Sequence, residues 1–298
     1  MIVDAHQHYW TLARGDYRWL SRELAPLYRD FGPADLEPEL ARAGVDGTIL
    51  VQAADSAAET RHLLALAART PHVLGVVGWI ELDAASAPRE LAELAREPLL
   101  VGVRPMLQDI EDERWVLRPR VLDALCALAP LELCFDALVV PRQLPVIAEL
   151  LERVPELDLV VDHGAKPRIG TRAAPWAGFA SWRADHARIA AHPRARCKLS
   201  GLVTEIAGAL PLDDARGELA RTVDALLELY GPARCLWGSD WPVLGLRCDY
   251  RAWWELSREL LARLSPRERA DVLGANALTF YRRARRAPRI VPPAESLA

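Results

Sequence analysis

Short apolar runs rich in valine, isoleucine and leucine return along the whole chain, and between them leucine and alanine recur at three- and four-residue spacing. Eight such runs can be placed, at residues 2–6, 47–52, 73–79, 99–104, 131–136, 158–162, 196–199 and 235–238. Unbroken apolar runs of this length predict strands covered on both faces, as in a parallel sheet flanked by its crossover helices. The periodic stretches at 56–69, 86–96, 142–154 and 214–230 predict some of those helices. Eight βα units in succession predict an α/β fold, a (β/α)8 TIM-type barrel. The alternative, an open doubly wound sheet, would carry a Gly-x-Gly-x-x-Gly turn after its first strand, and neither that turn nor a Walker phosphate loop is present.

Length and composition agree with one large core. The chain has 298 residues, 51% of them hydrophobic, and no Ser/Gly linker, repeat or low-complexity segment divides it. A single barrel is expected over residues 1–283, followed by a tail at 284–298, with the connections 108–119 and 166–185 long enough to cover a site. Net charge is −4, and the one dense basic cluster, Arg282-Arg283-Ala284-Arg285-Arg286, lies outside any nucleic-acid motif, so no nucleic-acid partner is expected. Asp4 and His6 interrupt the first apolar run and no later run is long enough to span a bilayer, so neither a secretory signal nor a membrane partner is expected. The 5 cysteines are odd in number and lack Cys-x-x-Cys spacing, which predicts no disulfide framework, no cysteine zinc site and a reduced, cytoplasmic setting.

In a barrel of this type functional side chains gather where the strands end, because the βα loops open on that face. That rule sorts the 7 histidines. His6 and His8 end the first run, and His163 follows Asp162 at the end of the sixth. His72 and His192 precede the third and seventh runs and belong to the opposite face, while His62 and His186 fall in helical stretches. Side chains alternate along a strand, so His6 and His8 are expected to enter the mouth together. Such a pair offers a divalent ion two nitrogen ligands, although an isolated His-x-His on a strand is more often an ordinary pair of polar residues. Asp240, within Trp237-Gly238-Ser239-Asp240-Trp241, adds a carboxylate at the end of the last run, next to the first in a closed barrel. Alone it reads as readily as a helix N-cap.

The segments DAHQHYW, GVVGWIEL, GVRPMLQ, DHGAKPRI, CKLSGLVTE and WGSDWPV, in this order, resemble the amidohydrolase superfamily over residues 1 to about 283. More narrowly they resemble its sugar-lactone branch, which contains L-fucono-lactonase and L-rhamnono-lactonase-like enzymes. The resemblance implies a barrel that activates water against an ester or amide carbonyl. Position by position it implies Asp240 and His163 as catalytic residues, with Asp240 taking the proton of water, and His6, His8, His163 and Asp240 as metal ligands. Dinuclear members need a bridging glutamate or carboxylated lysine in mid-barrel, whereas here the fourth run ends in Arg104 and the seventh carries Lys198 and Ser200. At most one divalent ion, zinc or manganese, is therefore expected, with no organic cofactor, and a metal-free route stays open.

Water attack on a lactone needs a base, a donor to the developing oxyanion and a proton for the leaving alkoxide. Asp240 is the candidate base, and His163 or the ion would polarise the carbonyl. Arg104 and Lys166 are candidate binders of a polyhydroxylated acid, since both offer charged donors to oxygen. Arg104 reads equally well as an ion pair locking the mouth, and Lys198 as an internal partner of Glu205 or Asp162. Lysine occurs only at Lys166 and Lys198 among 37 basic residues, which singles both out. Trp10, Trp79 and Trp241 fall at strand ends, where an aromatic face can pack on a sugar ring. The expected partner is a small-molecule sugar lactone, with self-association to a homo-oligomer left open. A serine hydrolase is excluded because neither Ser200 nor Ser239 lies in a Gly-x-Ser-x-Gly elbow. Two rivals stand: a metal-dependent decarboxylase of the same superfamily, and a non-catalytic sugar-acid binder.

Overall fold

A computed structural model describes residues 1–208 and 210–281, so the tail expected at 284–298 and the arginine cluster at 282–286 lie outside the described residues. Eight strands are present: β1 (Val3–Gln7), β2 (Gly47–Val51), β3 (Val73–Gly78), β4 (Leu100–Val103), β5 (Cys134–Ala137), β6 (Leu159–Val161), β7 (Ala195–Leu199) and β8 (Cys235–Trp237). They pair in chain order, all parallel. The connecting helices are α1 (Pro33–Ala43), α2 (Ala57–Ala67), α3 (Ala87–Leu94), α4 (Pro119–Cys126), α5 (Leu144–Arg153), α6 (Phe179–Ala190), α7 (Leu212–Tyr230) and α8 (Tyr250–Leu260), followed by the short α9 (Pro266–Ala270) and α10 (Asn276–Phe280). This is the (β/α)8 barrel that the apolar runs predict.

The ring closes through the segment that follows β8. Gln7 bridges Trp241, Asp240 N donates to His6 O at 2.8 Å, and His8 N donates to Trp241 O at 2.7 Å. Closure itself therefore brings Asp240 against the two histidines of β1. The carboxylate of Asp4, fully buried, adds a second tie by accepting from Ser239 N at 2.8 Å and Tyr250 Oη at 3.1 Å. Burial pushes that carboxyl up to about 6, against the pull of its Ser239 contacts.

Strict alternation would place His6 on the outward face it would share with Asp4, but the β1–β2 register shifts between Asp4 and Gln7. Ala5 joins the interior cluster with Val51, Val77, Val101 and Val160, while Gln7 Nε2 reaches outward to Thr48 Oγ1. The irregularity re-aims His6 into the mouth, a common use of bulges beside active sites. The lower barrel is plugged by α10, whose Ala277 and Phe280, with Tyr281 just beyond, are packed into that interior cluster. Each such fully buried large side chain contributes roughly 1.5–3 kcal/mol.

Two expected boundaries move. Residues 131–133 stay outside β5, since Glu132 adopts a positive φ of 56° and turns the chain. The connection 166–185 becomes helical from Phe179, because α6 buries Trp182 with its indole Nε1 donating to Gly164 O at 2.8 Å.

Candidate active site

His6 projects from β1, His8 lies just beyond it, His163 follows β6 and Asp240 follows β8, and all four are at most 5% exposed. His72 and His192 precede β3 and β7 at the other end of the barrel, and His62 and His186 sit on α2 and α6. The three mouth imidazoles turn their Nε2 atoms toward one oxygen: Asp240 Oδ1 is 3.7 Å from His6, 3.2 Å from His8 and 3.8 Å from His163. His8 Nδ1 lies 2.8 Å from Val51 O, an acceptor, so it carries the hydrogen and leaves the Nε2 lone pair facing the carboxylate. Two acceptors facing each other at 3.2 Å require a positive species between them. The donor set fits one divalent ion held by His6, His8 and Asp240, whose ligand atoms lie within 4.8 Å of one another.

Burial pushes the Asp240 carboxyl upward, but the rings of His163, His8 and His6 outweigh it and hold the group well below the usual carboxylate range. Asp240 is therefore ionised at neutral pH. Burial lowers His163 to about 4 despite the neighbouring Asp240 and Asp162, which keeps that ring neutral.

His163 and Asp240 both adopt left-handed backbone, with φ of 54° and 61°, and the run from His163 to Lys166 stays left-handed throughout. Such conformations cost about 1–3 kcal/mol each and persist only where the surroundings impose them. Here α6 does so, since Trp182 and His186 Nε2 both donate to Gly164 O, and His186 Nδ1 accepts from Tyr230 Oη at 2.8 Å. Ser200 Oγ lies 3.0 Å from His163 Nδ1.

The next residue, Gly201, has φ of 62°, and a Cβ there would lie 2.5 Å from His163 Nδ1 and 3.0 Å from Asp240 Oδ2. Gly201→Ala is thus expected to displace both side chains, lowering kcat about 10²-fold and stability by about 1 kcal/mol. Steady-state kinetics and urea unfolding on the same preparation check it, and an unchanged kcat would show that the mouth tolerates the methyl group.

Beneath the histidines lies a layer of buried charge that sequence reading only partly identified. Lys198 Nζ contacts Asp136 Oδ2 at 2.5 Å, Asp162 Oδ1 at 3.0 Å and His6 Nδ1 at 3.0 Å. Tyr281 Oη donates to the same Asp136 oxygen at 2.7 Å. Asp162 is thus one Lys198 partner, as expected, while Glu205 lies instead 3.9 Å from Lys166 Nζ at the rim. Arg104 is 3% exposed, with Nη2 donating to the Gln52 side chain at 2.9 Å and also to Gln52 O, and Nη1 3.3 Å from Asp162 Oδ2 and 3.2 Å from His6 Nε2. Arg104 thus makes the internal ion pair that was one of its two expected readings, as part of a bracing network beside His6. Asp136 was missed as a network member; an acid ending an apolar run opposite a lone lysine was the available signal.

Of the three tryptophans, Trp10 is 1% exposed with its indole donating to Arg29 O, and Trp241 is 8% exposed; both pack on Phe31. Their rings pack into the core in this structure, and the half-buried Trp79 keeps the more open position.

A parallel eight-stranded barrel whose closure gathers a His-x-His pair, a further histidine and an aspartate at the strand ends defines an amidohydrolase-type protein. The chain belongs to the amidohydrolase family, whose model matches residues 3–283. It is 44% identical over 94% of its length to an L-fucono-1,5-lactonase of Burkholderia ambifaria, covering 95% of that protein. An L-fucono-1,5-lactonase of Burkholderia multivorans is 35% identical over 94% of this chain and 95% of its own. A crystal structure of a Burkholderia multivorans amidohydrolase with bound zinc superposes with a TM-score of 0.89 at 34% identity, covering 95% of this chain and 99% of that one.

Proposed function

We propose that the chain hydrolyses the lactone of a sugar acid, of the L-fucono-1,5-lactone class, by water attack on the carbonyl. The convergence of three imidazoles on an ionised Asp240 at the barrel mouth carries this reading, and the lactonase relatives at 44% and 35% identity support the substrate class. Asp240 accepts a proton as water oxygen bonds to the carbonyl carbon; the ring C–O bond then breaks, and the alkoxide takes up a proton to give the open hydroxy acid. His163, neutral and aimed into the same space, donates toward the carbonyl oxygen. Lys166, a quarter exposed at the rim beside Glu205, binds substrate hydroxyls, and Trp79 offers the sugar an aromatic face. His6, His8 and Asp240 would hold a divalent ion, which would supply Lewis acidity and lower the pKa of a nearby water. Arg104 and Lys198 engage the mid-barrel carboxylates Asp162 and Asp136 in ion pairs, which leaves no free anionic bridge for a second ion, so one ion is the expected content.

We place the catalytic unit in residues 1–283 and the protein in the cytoplasm. Among the described residues no helix is long and apolar enough to cross a membrane, and no disulfide joins the cysteines. The decarboxylases with this fold share only 15% and 12% identity, which speaks to the fold alone.

Purified protein offered a panel of aldonolactones in a pH-indicator assay is expected to release acid from a 1,5-lactone of this class, with about one ion or fewer per chain by elemental analysis. Carbon dioxide release from aromatic acids with no lactone turnover would overturn the assignment. Two bound ions would refute the single-ion limit.

A further inference from the structure

We infer that Lys198 is a positioning residue that occupies the Nδ1 lone pair of His6, sets the His6 proton on Nε2 and thereby weakens divalent-ion binding at the mouth. The inference rests on the single-ion reading above. An ammonium has three hydrogens and no lone pair. That of Lys198, fully buried, lies 2.5 Å from Asp136 Oδ2, 3.0 Å from Asp162 Oδ1 and 3.0 Å from His6 Nδ1. It has no room to withdraw, since the Tyr281 ring centre lies 5.5 Å from Nζ and the Tyr281 hydroxyl holds the Asp136 oxygen.

The other His6 nitrogen also faces a cation, Arg104 Nη1 at 3.2 Å. A neutral imidazole has one acceptor nitrogen, so it can accept from only one of the two. Lys198 is nearer, and Arg104 Nη1 has Asp162 Oδ2 at 3.3 Å as another acceptor. A hydrogen on His6 Nδ1 would meet the Lys198 ammonium, which has no lone pair, at 3.0 Å, with Asp162 Oδ1 at 3.5 Å, whereas one on Nε2 has Asp240 Oδ1 at 3.7 Å. The proton therefore belongs on Nε2, directed toward Asp240. His8 has the opposite tautomer, with its hydrogen on Nδ1 toward Val51 O. Of the two β1 histidines, one presents a lone pair to the mouth and the other a hydrogen. An ion that takes His6 Nε2 must move that proton and break the Lys198 contact.

The test uses full-length wild type, Lys198→Met, and the double variant Asp136→Asn/Lys198→Met, which leaves the net charge of the buried group unchanged. Nitrogen-15 histidine spectra of chelator-stripped wild type are expected to show the His6 proton on Nε2, and in the variants on Nδ1. Zinc competition against a chromophoric chelator is expected to show about 10–100-fold tighter binding in the variants, the usual scale for groups behind a metal ligand. A lysine with only a structural role would have the opposite sign, its loss weakening zinc binding. Equal or weaker affinity in the variants, or a wild-type proton on Nδ1, overturns the inference while leaving the single-ion reading intact. No zinc binding by any of the three proteins overturns both. The wild-type spectrum decides the tautomer even if neither variant folds.

Discussion

Asp240→Asn is expected to lower kcat on a responsive aldonolactone by about 10²–10⁴-fold, the usual loss when a general base is removed. KM should move only a few-fold. The amide keeps the size of the carboxylate and can still accept a hydrogen bond from water, so the binding geometry survives while the proton acceptor is gone. The effect belongs to the transition state, and kcat and kcat/KM should therefore fall together. The carboxylate is ionised, held below the usual range by His163, His8 and His6 against its burial, and its Oδ1 sits where the three imidazoles converge. Because Asp240 is also a proposed ligand, zinc content of the variant has to be measured on the same sample. A metal-replete Asp240→Asn enzyme with near-wild-type kcat would remove Asp240 from proton transfer and leave a histidine as the base.

How much of this could be read from the chain alone depended on sequence distance. All eight apolar runs overlap a strand because parallel strands are buried on both faces and therefore spell out their own positions. His6, His8, His163 and Asp240 were legible for a related reason: each lies at or just after a strand end, and the barrel rule turns position along a strand into position in space. The bracing layer below them was not. Lys198 and Asp136 are 62 residues apart, and Tyr281 reaches Asp136 across 145, so no local pattern pairs them. Nor could alternation reveal the register shift between Asp4 and Gln7, since counting by twos from Ala5 turns His6 away from the mouth. A strand end likewise marks where a side chain begins, not what lies over it, and the contacts of Trp10 and Trp241 with Phe31 had no local signal.

Arg104→Met is expected to destabilise the protein by about 3–5 kcal/mol, the scale for breaking a buried ion pair from one side. Arg104 is enclosed, and its guanidinium spans two elements at once: Nη2 satisfies Gln52 O and Oε1 beyond β2, while Nη1 lies between Asp162 and His6. In return Gln52 Nε2 donates to Arg104 O at 3.0 Å, so the pair also fastens β2 to β4 at the mouth. Methionine fills much of the volume but leaves two Gln52 oxygens without a donor and Asp162 with Lys198 as its sole cation. Arg104→Lys should recover only part of the loss, because a single ammonium cannot reproduce the fork that reaches Gln52 and Asp162 together. Urea unfolding midpoints of the three proteins measure this. If Arg104 is instead a substrate ligand, Arg104→Met would leave the midpoint near wild type and raise KM, and the bracing role assigned to the guanidinium would have to be abandoned. The two outcomes cannot be confused, because one is read without substrate and the other only with it.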